Sequence, residues 1–116
     1  MKILILIIST FTLTISTAFS QTVLELEPIQ SMCITGKGPG QDGAINPYLG
    51  KDSISVIENI GKNDFSIRIQ KAGKIIKTFS IKPKETRNVL LRKGDELYFD
   101  TEKSAVAKVD FKEAQF

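Results

Sequence analysis

The residues best suited to chemistry lie between Gly36 and Tyr48, where Gln41, Asp42, Asn46 and Tyr48 accompany four glycines and one proline in Gly36–Gly43. Glycine and proline at that density interrupt any regular period, so the stretch is a loop. Connections of about 12 to 15 residues are longer than most strand-to-strand links and often carry function. Tyr48 and Asn46 can contact a sugar or a peptide, and Asp42 with neighbouring carbonyls can hold a calcium ion. The same loop can instead cover a sheet edge and keep it from pairing with other chains. A phosphate cradle does not fit, because the Gly-Lys-Ser/Thr ending is missing and Pro39 removes a backbone donor.

Other catalytic groupings are scarce. The chain has no histidine, which removes the usual general base and the commonest transition-metal ligand. Ser-His-Asp and Cys-His arrangements cannot be built, a blue-copper site lacks its two imidazoles, and one cysteine does not make a structural zinc site. Asp95 with Glu96, and Asp100 with Glu102, can approach each other at strand ends as a glycosidase pair does. Thirteen acidic residues scattered among sixteen basic ones more simply form a solvated surface. The expectation is a protein with no enzyme activity and no cofactor. Cys33, within Ser31–Thr35, is either a small buried hydrophobe or a thiol available for an intermolecular disulfide.

The elements that position these residues begin after a leader. Lys2, the apolar run Ile3–Ile8 and its hydroxyl-diluted continuation to Ile15, and the small residues Ala18 and Ser20 have the layout of a secretory signal, with cleavage expected after Ser20. A spanning helix needs about 20 predominantly apolar residues, more than this stretch offers. No lipobox precedes Cys33. Residues 1–20 are therefore expected to be removed and residues 21–116 to form one domain, secreted or periplasmic, with no membrane span of its own. The formal charge of +3 falls to +2 without Lys2. That is too close to neutral to point to nucleic acid, which wants a clustered basic face.

From Thr22 onward apolar residues recur with period two, and turn residues interrupt them at short intervals. This predicts seven or eight strands in an antiparallel sandwich, with no helix longer than a turn or two. Strands are expected at Val23–Glu27 and Met32–Thr35. A further strand around Ile54 and Val56, alternating with Ser53 and Ser55, leads through the Asn59–Asp64 turn to Phe65–Ile69. A tight hairpin at Lys71–Lys74 leads into Ile75–Ile81, with Ile75, Phe79 and Ile81 facing inward. Lys82–Glu85 is a turn. Val89 and Leu91 point inward before a hairpin at Lys93-Gly94-Asp95, and Leu97 and Phe99 continue the core. Ala105, Ala107, Val109 and Phe111 line one side of the last strand. Lys71, Lys74, Lys77, Lys82 and Lys84 form a basic stretch that either guards an edge or docks weakly to an anionic polymer. Eight membrane-spanning strands would consume the whole mature chain and put Arg68, Lys77 and Lys108 in lipid, which argues against a membrane barrel.

Taken together, Val56-Ile57-Glu58-Asn59-Ile60-Gly61, Phe65-Ser66-Ile67-Arg68-Ile69, Gly73 and Ser80-Ile81-Lys82-Pro83-Lys84-Glu85-Thr86 resemble the immunoglobulin-like repeats of bacterial surface and adhesion-related proteins, over about Ser53 to Phe111. The resemblance implies an immunoglobulin-like β-sandwich serving as a spacer or adhesion module, with a protein or cell-surface polymer as partner. It transfers no functional residue, and Lys84 stands where such turns often carry glycine. The expected function is that of an exported module presenting surfaces and loops to a macromolecule. The alternative is binding of a small ligand or carbohydrate through Gly36–Tyr48.

Overall fold

A computed structural model describes residues 21–114. The expected leader over residues 1–20 and its cleavage point lie outside the described residues. Among the described residues eight strands form: β1 (Thr22–Leu26), β2 (Gln30–Thr35), β3 (Ser53–Asn59), β4 (Phe65–Lys71), β5 (Lys74–Ile81), β6 (Thr86–Leu91), β7 (Glu96–Thr101) and β8 (Ala105–Glu113). No helix occurs among the described residues.

The chain is doubled on itself. β1 pairs with β8, β2 with β7, β3 with β6 and β4 with β5, all antiparallel. The fold point is Ala72-Gly73, where φ angles of 52° and 81° match the twist of the flanking strands as a primed two-residue turn does. The doubled ribbon then rolls up, so that β8 also pairs with β3 and β7 with β4. Two four-stranded sheets result, in the order β1-β8-β3-β6 and β2-β7-β4-β5. This is the winding of an eight-stranded jelly roll. Immunoglobulin domains keep their first two strands in one sheet, whereas here β1 and β2 lie in different sheets.

The winding corrects several local expectations. Lys93-Gly94-Asp95 carries a glycine with φ of 93°, but it leads from β6 in one sheet to β7 in the other and makes no hairpin. In β3 the dry side belongs to Ser53, Ser55, Ile57 and Asn59, while Ile54 and Val56 are half-exposed outside. The reason is crowding: Ser55 sits between Val89 of β6 and Phe111 of β8, whose bulk leaves space for a serine. Ile75 does not face inward either. A register shift at Ile69/Gln70 pairs Gln70 with Ile75 and Ile69 with Lys77, and the bulge leaves Ile75 61% exposed.

One core cluster is drawn from both sheets and includes Ile57, Phe65, Ile67, Leu97, Phe99 and Val109. At one end the fully buried Asn59 ties two turns together. Its Nδ2 donates to the carbonyls of Ile81 (3.0 Å) and Asn63 (2.9 Å), and its Oδ1 accepts from Gly61 N at 3.0 Å. A buried amide with its hydrogen-bonding groups met in this way fixes geometry that packing alone leaves open.

Candidate functional site on the outer face of β2-β7-β4-β5

The loop singled out by sequence is largely occupied with its own architecture. Asp42 Oδ1 accepts from Lys37 N (2.8 Å) and Gly38 N (3.0 Å), and Oδ2 accepts from Gly36 N at 3.1 Å. Gly36 itself has no alternative, because a Cβ there would lie 2.8 Å from the Glu96 Cα. Asn46 is buried; its Oδ1 accepts from Tyr48 N at 2.8 Å and its Nδ2 donates to Ser53 Oγ at 3.2 Å, closing the loop onto β3. Tyr48 packs against the core. Gln41 is exposed. The backbone of Gly43 and Ala44 donates to the carbonyls of Cys33 (2.9 Å) and Ile34 (3.0 Å), so the loop covers the edge of β2 that β7 leaves open.

A denser grouping lies beside it, on the solvent side of the sheet. Alternation puts Ser66, Arg68 and Gln70 of β4 and Glu96, Tyr98 and Asp100 of β7 on one face, and the register sets Arg68 opposite Tyr98. On the other flank of β7, Cys33 stands opposite Tyr98 and Ser31 opposite Asp100. The Arg68 guanidinium holds Asp100 in a two-pronged ion pair, Nε to Oδ2 at 3.0 Å and Nη2 to Oδ1 at 3.1 Å. Nη2 also donates to Ser31 Oγ at 3.0 Å. Ser31 in turn donates to Asp100, and Arg68 Nη1 donates to Gln70.

The Arg68 Cζ lies 4.4 Å from the centre of the Tyr98 ring, and Lys37 Nζ, reaching over from the loop, lies 5.3 Å from it. The Tyr98 hydroxyl donates to Glu96 Oε1 at 2.5 Å. A guanidinium over an aromatic face is a cation–π arrangement, and a two-pronged arginine–carboxylate pair fixes the arginine's plane.

Burial pushes the Cys33 thiol up, with the Asp42 charge adding to it, so the thiol stays protonated. The hydrogen bond to Glu96, then burial, raise the Tyr98 phenol. For Asp100 burial pushes upward, but the hydrogen bonds from Arg68 and Ser31 and the guanidinium charge outweigh it, and the carboxyl ends below its usual range. The arrangement offers a fixed charge pair, hydrogen-bonding groups and an aromatic ring side by side.

At one end of this face the β3–β4 and β7–β8 turns border an open cleft of about 550 Å³, which Asp100 shares with Lys62, Asp64, Glu102 and Lys103. Sequence alternation sets Ser66, Arg68 and Gln70 of β4 on the wet side, opposite Phe65, Ile67 and Ile69, and puts Leu97 and Phe99 of β7 in the core. It does not bring the two strands together, because the β4–β7 pairing joins segments some thirty positions apart, as in Arg68↔Tyr98. Comparison with protein-family models, with curated proteins and with solved structures finds no match to this chain.

Proposed function

We propose that this protein is an exported, non-enzymatic β-sandwich module that docks a macromolecular partner, protein or cell-surface polymer, through the outer face of β2-β7-β4-β5. The observation that carries the proposal is the interlocked set Arg68, Asp100, Tyr98, Ser31 and Gln70. Tyrosine and arginine held rigid on an exposed sheet lose little conformational freedom on binding, and for that reason they dominate interface energetics. Export rests on the leader-like residues 1–20. The immunoglobulin-like resemblance over Ser53 to Phe111 contributes the two-layer architecture and the role of a surface module, while the strand order follows a jelly roll.

Small-ligand or carbohydrate binding by the Gly36–Tyr48 loop is the second reading, and one contact favours it: Lys37 of that loop reaches the Tyr98 ring. The two readings share a border and separate by experiment. A photo-crosslinking residue at Gln70, in the native host, is expected to yield a discrete adduct, and the same residue at Lys108 on the other sheet is not. Arg68→Ala and Tyr98→Ala are each expected to weaken that adduct about tenfold or more, the size of a hot-spot truncation. Equal labelling from both faces, or an adduct indifferent to both substitutions, refutes the proposed face. Sensitivity to Tyr48→Ala and Asn46→Ala alone moves the site to the loop.

A further inference from the structure

The sandwich has one strongly basic open edge and one acidic open edge, on opposite flanks. β5 is bonded to β4 on one side only, and seven of its eight residues are exposed or half-exposed. Beyond Phe79, where the Arg87 guanidinium lies 4.5 Å from the ring centre, the strand leaves the shelter of β6. Ile75 and Ile76 are then 61% and 54% exposed. Lys74 and Lys77 flank them, on the core-facing side of the strand, opposite Lys71 and Ile69. On the other flank, the loop covers β2, so the open edge there is β1, bonded only to β8. β1 reads Thr22-Val23-Leu24-Glu25-Leu26 and is followed by Glu27. Val23, Glu25 and Glu27 are exposed.

Unpaired edges are templates for strand addition, and charge decides what they accept. Two β5 edges brought together would oppose lysines, and two β1 edges would oppose glutamates. Like charges set against each other across a strand pair are destabilising. A β5 edge meeting a β1 edge has neither conflict. The sides also agree. Glu25 lies on the outer side of its sheet, in register with Val106, and the lysines lie on the inner side of theirs. When one copy is displaced by a single layer of about 10 Å, its β1-β8-β3-β6 sheet continues the neighbour's β2-β7-β4-β5 sheet. The outer side of the first is then level with the inner side of the second, and glutamates meet lysines on one surface.

We infer that the chain self-associates head to tail, the β1 edge of one copy adding to the β5 edge of the next. This contact is independent of the Arg68–Tyr98 face. It is heterologous, so it produces an open series or a ring and no closed twofold dimer.

Sedimentation of the purified protein tests the inference. The average mass should rise with concentration through dimer, trimer and larger species. Association should weaken at least tenfold between about 0.01 M and about 1 M salt, as the Debye length shrinks from about 30 Å to about 3 Å. The pair Lys74→Glu/Lys77→Glu should stay monomeric, and so should Glu25→Lys/Glu27→Lys. These side chains are exposed, and unchanged far-ultraviolet circular dichroism checks that folding is intact. Mixing the two variants should restore assembly, because each then presents the charge the other lacks. A wild-type monomer at every concentration and salt, a closed dimer, variants that assemble as wild type does, or a mixture that stays monomeric would each overturn it.

Discussion

The two sheets are built on different plans. β2-β7-β4-β5 turns inward mostly bulky side chains, among them Phe65, Ile67, Ile69, Leu97 and Phe99, whereas β1-β8-β3-β6 mixes Leu26, Ile57, Val89, Leu91 and Phe111 with the small Ser53, Ser55, Ala105 and Ala107 and with Val109. Their outer faces differ as well. On the first, Arg68, Asp100, Ser31 and Gln70 are hydrogen-bonded into one group around Tyr98. On the second, Glu58 and Lys108 stand directly opposite in register, yet among the described residues the ion pairs are Lys51–Glu113, Arg68–Asp100, Arg87–Glu85 and Arg92–Asp52. A sheet of this protein therefore folds without interlocking its outer polar residues. The interlocking on β4 and β7 sets that face apart from the other, and this is why the docking proposal is placed there.

The largest effect should come from emptying the bulky side. Phe99 is 1% exposed, and its ring centre lies 5.0 Å from that of Phe65. Phe99→Ala should destabilise by about 3–5 kcal/mol, the transfer and cavity loss for a buried phenylalanine. Val109→Ala, on the small side, should lose about 2 kcal/mol on the methylene scale. Denaturant unfolding measures both. Equal losses would mean that the core is not weighted toward β2-β7-β4-β5.

The small side offers a change of opposite sign. Ser55 Oγ is buried and has no hydrogen-bond partner among the described residues. An unpaired buried hydroxyl is destabilising, so Ser55→Ala should raise stability by about 1 kcal/mol. A loss of similar size would show that the hydroxyl is satisfied by a bound water.

How much of this was legible in the sequence follows from the range of each interaction. Period-two alternation identifies Ala105, Ala107, Val109 and Phe111 as one buried side, because it is a local property of one strand. It fails at Ile54 and Val56, where hydropathy favours the isoleucine and valine but Val89 and Phe111, distant in sequence, crowd the inner side. It fails at Ile75 because one bulge shifts the phase. The polar loop residues drew attention by composition, yet Asp42 and Asn46 bond the loop's own backbone, which is what short polar side chains in glycine-rich turns commonly do. The Arg68–Asp100 pair was invisible for the converse reason. Nothing local says that β4 and β7 are neighbours.

The smallest effect separates two roles for Arg68, as partner of Asp100 and as cover for Tyr98. The Asp100 carboxyl lies below its usual range in the folded protein. A depressed carboxyl adds stability that is present above its unfolded value, ordinarily about 3.9, and that is lost as pH falls through the folded value. The pair is partly exposed, 21% for the Arg68 side chain and 37% for Asp100, so solvent screening holds its contribution to roughly 0.5–1 kcal/mol. Arg68→Ala should therefore destabilise by about that amount at neutral pH and by clearly less once the pH is taken below about 3.9 and through the folded value, where Asp100 protonates. If urea midpoints show the same gap at both pH values, Arg68 supports the fold by packing on the Tyr98 ring. The face would then be an aromatic platform and not an ionic one, and its partner would be sought among apolar surfaces.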